Sequence, residues 1–117
     1  MSSKPIKKYL PLTEATYYIL LALVTPKHGY VVMQEVEQIS AGTVRLAPGT
    51  LYGAFTTLEE SKLIAMVGKE ERRKIYQITE RGVLVLKGQV DRLRIMLKNA
   101  EVLPELGMAK DTKEGKK

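Results

Sequence analysis

Arg72, Arg73 and Lys74 are the only three consecutive bases in the chain, and they follow the acids Glu70 and Glu71. Guanidinium forks beside an ammonium suit phosphate oxygens; a solvated hairpin tip is the plain alternative for such a run. Lys7 and Lys8, with Lys4, make a smaller basic segment that is either a binding arm or a solubilising tail. The stretch Ala47-Pro-Gly-Thr-Leu-Tyr-Gly-Ala-Phe-Thr-Thr-Leu-Glu-Glu-Ser61 has a different chemistry, with no Lys, Arg, Asn or Gln. Its Gly49, Thr50, Tyr52, Gly53, Thr56 and Thr57 offer hydroxyls, methyls and bare backbone that another surface can approach closely.

Other chemistries are poorly supplied. His28 is the single histidine and cysteine is absent, so there is no imidazole or thiolate cluster for a metal, no disulfide and no cysteine nucleophile. Glu59 and Glu60 are neighbours on one expected helix and point about 100° apart, poor geometry for a catalytic carboxylate pair. No catalytic residue, metal or cofactor is expected, and His28 reads as a turn residue.

Nineteen Lys and Arg against thirteen Asp and Glu give a formal charge of +6 and a pI near 9.6, a balance suited to polyanionic partners. An apolar fraction of 44% and a charged fraction of 27% are those of an ordinary globular protein, and 117 residues suit one domain. No signal-peptide core follows Met-Ser-Ser-Lys-Pro-Ile-Lys-Lys. The longest strongly apolar run, Tyr17 to Val24, is far below the roughly 20 residues that span a bilayer. A cytoplasmic location and no membrane partner are expected.

These residues need elements to place them. Ala15, Ile19, Ala22 and Leu23 recur at helical spacing behind the N-cap candidate Thr13, predicting a first helix from Glu14 to Thr25, stopped by Pro26. Val32, Val36 and Ile39 predict a second from Tyr30 to Ser40. Thr43 to Leu46 alternates as a very short strand would, and Pro48 opens a third helix to Ser61. Leu63 to Val67 and Arg73 to Ile78 read as strands flanking a Gly68-Lys-Glu-Glu-Arg72 loop. Val83, Leu86, Val90, Leu93 and Leu97 then recur at three and four on a last helix reaching towards Leu103, a narrow stripe that wants a partner helix. Gly82 and Gly88 weaken that helix unless they permit close contact. The tail after Gly107 is lysine-rich and reads as disordered.

The fold class is therefore mainly α with a small β-hairpin, in the order of a winged helix-turn-helix. His28-Gly29-Tyr30, Gly49-Thr-Leu-Tyr52, Leu58-Glu-Glu-Ser-Lys-Leu-Ile64 and Arg72-Arg-Lys-Ile-Tyr-Gln-Ile-Thr-Glu-Arg-Gly82 resemble the PadR family of bacterial transcriptional regulators across residues 12 to 97. The single C-terminal helix resembles its small-subunit, LmrR-like subfamily. Where that family commonly carries a glycine this chain has Lys62.

The resemblance implies a homodimer on double-stranded DNA, repressing from a pseudo-palindromic operator and released by a small-molecule effector. It divides the chain into a winged helix-turn-helix domain with its basic arm (1–78), a C-terminal dimerisation helix (79–107) and a disordered basic tail (108–117). On a helical wheel Leu51, Phe55 and Leu58, with Ala54, form the buried stripe of the third helix. Gly49, Gly53, Thr56, Thr57 and Glu60 lie opposite, and Thr50 and Tyr52 flank. DNA contacts are then expected from Gly49, Thr50, Tyr52, Gly53, Thr56, Thr57, Arg72, Arg73, Lys74, Lys7 and Lys8; for Tyr52, half-buried packing is compatible with a contact. Val83, Leu86, Val90, Leu93 and Leu97 are expected to dimerise. Tyr17, Tyr18, Leu21, Leu93 and Met96 line either an effector pocket between subunits or ordinary packing. A winged-helix module that binds protein, and a dimer that sequesters a small molecule, are the alternatives.

Overall fold

Thr13 begins the first long helix by accepting the Thr16 amide on its own hydroxyl at 3.1 Å, the N-cap role its side chain suits. The computed structural model describes residues 4–107. Its elements are α1 (Lys4–Lys7), α2 (Glu14–Ala22), β1 (Lys27–His28), α3 (Gly29–Ile39), α4 (Pro48–Glu60), β2 (Ile64–Glu70), β3 (Arg73–Ile78), α5 (Glu80–Asn99), a 3₁₀ turn at Ala100–Val102 and α6 (Pro104–Gly107). The expected tail, 108–117, lies outside the described residues.

One core joins them. Ile19, Leu20 and Leu23 from α2 and its cap, Val32 and Val36 from α3, Leu51 from α4, Ile64 from β2 and Val85 from α5 are all fully buried. Each such side chain withdrawn from water contributes about 1.5–3 kcal/mol. On α4 the buried residues are Leu51, Phe55 and Leu58, as the wheel requires, with Ala54 half-buried beside them.

The sheet differs from the expected hairpin. It has three antiparallel strands in the order β1-β3-β2, and the third comes from Lys27–His28, where a turn was expected. Residues 43–46 form no strand. The Ser40 hydroxyl accepts the Val44 amide at 3.0 Å, and the Thr43 hydroxyl donates to the Ser40 carbonyl at 2.8 Å. Side chains thus satisfy that backbone locally, and no strand is placed to pair with it.

Three boundaries also move. α2 ends at Ala22 rather than Thr25, and the Lys27 ammonium takes up the Ala22 carbonyl and the Thr25 hydroxyl. The expected Gly68–Arg72 loop shrinks to Glu71-Arg72, with Glu71 at φ 57°, because a bulge between Met66 and Gly68 lets β2 run on to Glu70. α5 ends at Asn99, four residues before Leu103.

α5 is 20 residues long, about 30 Å, and only its first half lies on the core. The principal extents of 55 × 34 × 21 Å and a radius of gyration of 17.2 Å, against the ~13 Å of a compact domain this size, reflect that projecting helix.

Candidate nucleic-acid interface

α4 places its glycine and threonine face outward. Gly49, Thr50, Tyr52, Gly53, Thr56 and Thr57 are all exposed, and a Cβ added at Gly49 or Gly53 would meet nothing within 4 Å. The Thr56 hydroxyl donates to the Tyr52 carbonyl at 3.0 Å, a bond that leaves the oxygen's acceptor capacity unused on this exposed residue. No charged side chain stands on this face before Glu59 and Glu60.

Tyr52 does two things at once. Its ring packs edge-on against Phe55 with centroids 5.9 Å apart, and its hydroxyl lies across Gly29, where a Cβ would come within 2.5 Å of the oxygen. It nonetheless remains 49% exposed. Phe55 in turn contacts Tyr76 at 4.8 Å, so an aromatic row runs from the outer face of α4 to the inner strand of the sheet. Burial pushes the Tyr76 hydroxyl up, with the Glu59 carboxylate and then Tyr52 adding to the shift, so it keeps its proton.

Across from α4 stands the wing formed by β2 and β3. Arg72, Arg73 and Lys74 are exposed, and with His28, Gly29, Tyr30, Tyr52, Phe55, Thr56 and Tyr76 they line a cleft of about 620 Å³. The Arg73 guanidinium lies 3.2 Å from His28 Nε2. Lys69, which sequence reasoning passed over, sits directly opposite Lys74 in the β2–β3 ladder. Like charges in register repel, and an anion between them relieves the repulsion.

The other expected site residues fall elsewhere. Lys7, the last residue of α1, and Lys8 after it are exposed, and their segment packs on α5 with Leu10 and Ile6 against Gly88. In the α5 stripe Leu86 belongs to the chain's own core, a correction to its assignment as a partner contact: helical spacing alone cannot tell which surface covers a stripe. Val83 and Val90 are half-buried, while Leu93 and Leu97 are exposed. The buried positions Gly82, Val85, Leu86 and Gln89 continue at helical spacing as Leu93, Met96, Leu97 and Ala100, uncovered by this chain except at half-buried Ala100. Tyr17 and Tyr18 meet edge-on at 5.1 Å and, with Leu21, pack half-buried against the core, whereas Leu93 and Met96 stand in the open.

Residues 19–88, more than half of the chain, match the family described as Transcriptional regulator PadR-like. The chain belongs to that family. Among similar proteins, an uncharacterized 37.1 kDa protein in transposon Tn4556 of Streptomyces fradiae is 36% identical over 70 residues, covering 59% of this chain and 20% of that protein. The chain thus spans about a fifth of the curated relative's length. A transcriptional regulator from Clostridium thermocellum is 24% identical with a TM-score of 0.63, over 85% of this chain and 96% of that one. A PadR family transcriptional regulator from Eggerthella lenta is 22% identical with a TM-score of 0.62, over 78% and 81% of the two chains. At these identities the solved structures share the fold.

In PadR-like terms α3 and α4 are the helix-turn-helix and β2–β3 the wing. Among the described residues no helix is long and apolar enough to cross a membrane, and no three acidic or histidine side chains gather as a metal site would need. His28, Gly29, Tyr30, Phe55 and Tyr76 line the cleft without having been expected there. The signal was there in His28-Gly29-Tyr30, but its use depends on β1 pairing with β3.

Proposed function

We propose that this PadR-like regulator is a homodimeric DNA-binding repressor, with α4 in the major groove and the wing on the adjacent backbone or minor groove. The observation that carries this reading is the pairing of an exposed, uncharged helix face with a basic hairpin across one cleft. α4 bears Glu59 and Glu60 and no base, so Lys69, Arg72, Arg73 and Lys74 supply the phosphate attraction while α4 steers by fit, hydroxyls and methyls. Bare glycine backbone lets the helix come close.

The second subunit is a copy of this chain, seated on the uncovered continuation of the α5 stripe at Leu93, Met96 and Leu97. Two-fold symmetry then puts two α4 helices about 34 Å apart, one duplex turn, so the operator is an inverted repeat. Release by a small molecule at Tyr17, Tyr18, Leu21, Leu93 and Met96 completes the reading; the dimer brings the two sets of residues together. The 1–78 and 79–107 segments are accordingly the DNA-binding and dimerising parts, and the protein acts in the cytoplasm.

An electrophoretic shift with the intergenic DNA upstream of the reading frame, run across a salt series, tests this. A sequence-preferring, salt-sensitive complex of two chains per site is expected. A complex with neither property overturns the proposal.

A further inference from the structure

We propose that His28 is a positioning residue for Arg73: it holds the guanidinium at the rim of the cleft without cancelling its charge, ready for a phosphate of the DNA backbone. The inference rests on reading the cleft as the nucleic-acid interface.

The strand pairing makes the contact possible. His28 is in register with Ile75, and Arg73 stands two residues along the same strand, so the two are diagonal neighbours on one face. That diagonal is within reach of a long side chain, and Arg73 Nη1 comes to 3.2 Å from His28 Nε2. A guanidinium only donates, so a hydrogen bond at Nε2 requires the imidazole to accept there, with the ring proton on Nδ1. His28 occupies the N-cap position of α3, yet its side chain makes no capping hydrogen bond, leaving the ring free for Arg73.

The choice of acceptor matters. The ion pairs among the described residues are Lys27–Glu35, Arg45–Glu37 and Arg94–Asp91, and Arg73 is in none of them. A carboxylate at position 28 would order the arginine equally well but neutralise it. A neutral imidazole orders it and leaves the full positive charge for phosphate. Ordering a side chain with four torsions opposes binding, and a contact already made in the free chain removes part of that cost. β1 ends at His28, so this contact also steadies the wing beyond the third strand.

Fluorescence anisotropy with a labelled duplex of the upstream intergenic sequence, over a salt series, tests the proposal. His28→Ala is expected to weaken binding about two- to ten-fold, the size of one net hydrogen bond, with the salt slope unchanged. Arg73→Ala is expected to weaken binding and lower the slope by about one. The double variant should bind no more weakly than Arg73→Ala, and His28→Gln, which restores a neutral acceptor, should bind like the parent. His28→Glu should bind more weakly than His28→Gln. Because His28 is the single histidine, its ring nitrogen resonances also report directly: an unprotonated Nε2 in the parent, shifted in Arg73→Ala. Additive losses in the double variant, or an unaltered tautomer in Arg73→Ala, overturn the positioning role while leaving the wing as interface. Unchanged affinity and slope in Arg73→Ala itself overturn the wing reading and this role with it.

Discussion

The carbonyl oxygen of Leu63 stands where a Cβ on Gly82 would have to go. That carbonyl accepts the Thr79 amide at 3.0 Å, and the Thr79 hydroxyl accepts the Gly82 amide at 3.0 Å while donating to the Lys62 carbonyl at 2.7 Å. The first turn of α5 therefore rests backbone to backbone on the root of the wing. Gly82→Ala is expected to cost about 2 kcal/mol or more, because the obstacle is backbone and cannot swing aside. Urea unfolding measures it. Gly88→Ala should cost less than about 1 kcal/mol, since the nearest atom there, at 2.9 Å, is the free end of the Leu10 side chain.

Gly53 is the opposite case. Its added methyl would stand in open space in the free chain, so Gly53→Ala should raise stability by about 0.5–1 kcal/mol through helix propensity. On DNA the same methyl would crowd the groove, and affinity should fall. A variant that melts higher and binds DNA as well as the parent would show that α4 does not bring its backbone close.

Lys62 follows α4 with φ 64°, a left-handed conformation that costs a residue with a Cβ and costs glycine nothing. Lys62→Gly is expected to stabilise by about 0.5–1 kcal/mol, net of the greater freedom glycine has when unfolded. The midpoint of urea unfolding should rise with no change in slope.

Arg72 and Arg73 carry unneutralised charge at the wing tip. Replacing both with alanine should weaken binding to every sequence and lower the salt slope by about two, measured by titration at several ionic strengths. Thr56→Ala, on the α4 face, should change which sequences are preferred more than how tightly they bind.

Leu93 and Leu97 are 37% and 64% exposed in the single chain, whereas Leu86 is 6% exposed. Leu93→Glu with Leu97→Glu should give a monomer by sedimentation with its secondary structure retained. Leu86→Glu should unfold the chain, since it buries an unpaired carboxylate. If the outer pair leaves a dimer, the second copy sits elsewhere.

Much of this was legible in the chain because it depends on near neighbours. Thr13 caps a helix with its own hydroxyl, Pro48 opens α4, and Leu51, Phe55 and Leu58 line one side of it by period alone. The third strand was not legible: Lys27–His28 has no alternation to show, and it is a strand only because β3 offers a free edge beside it. The Thr43–Leu46 alternation failed for the same reason reversed, having a pattern and no edge.

Local periodicity and residue chemistry thus determined, from sequence alone, the order of the four long helices and the hairpin, the outward face of α4 and the basic run of the wing. Only the tertiary structure decided that His28 meets Arg73, that Tyr52 lies across Gly29, and where along α5 the chain's own core ends. The division has one physical cause: helix caps and stripes are set by residues three or four apart, whereas these contacts join segments far apart in sequence, whose approach depends on every element packed between them.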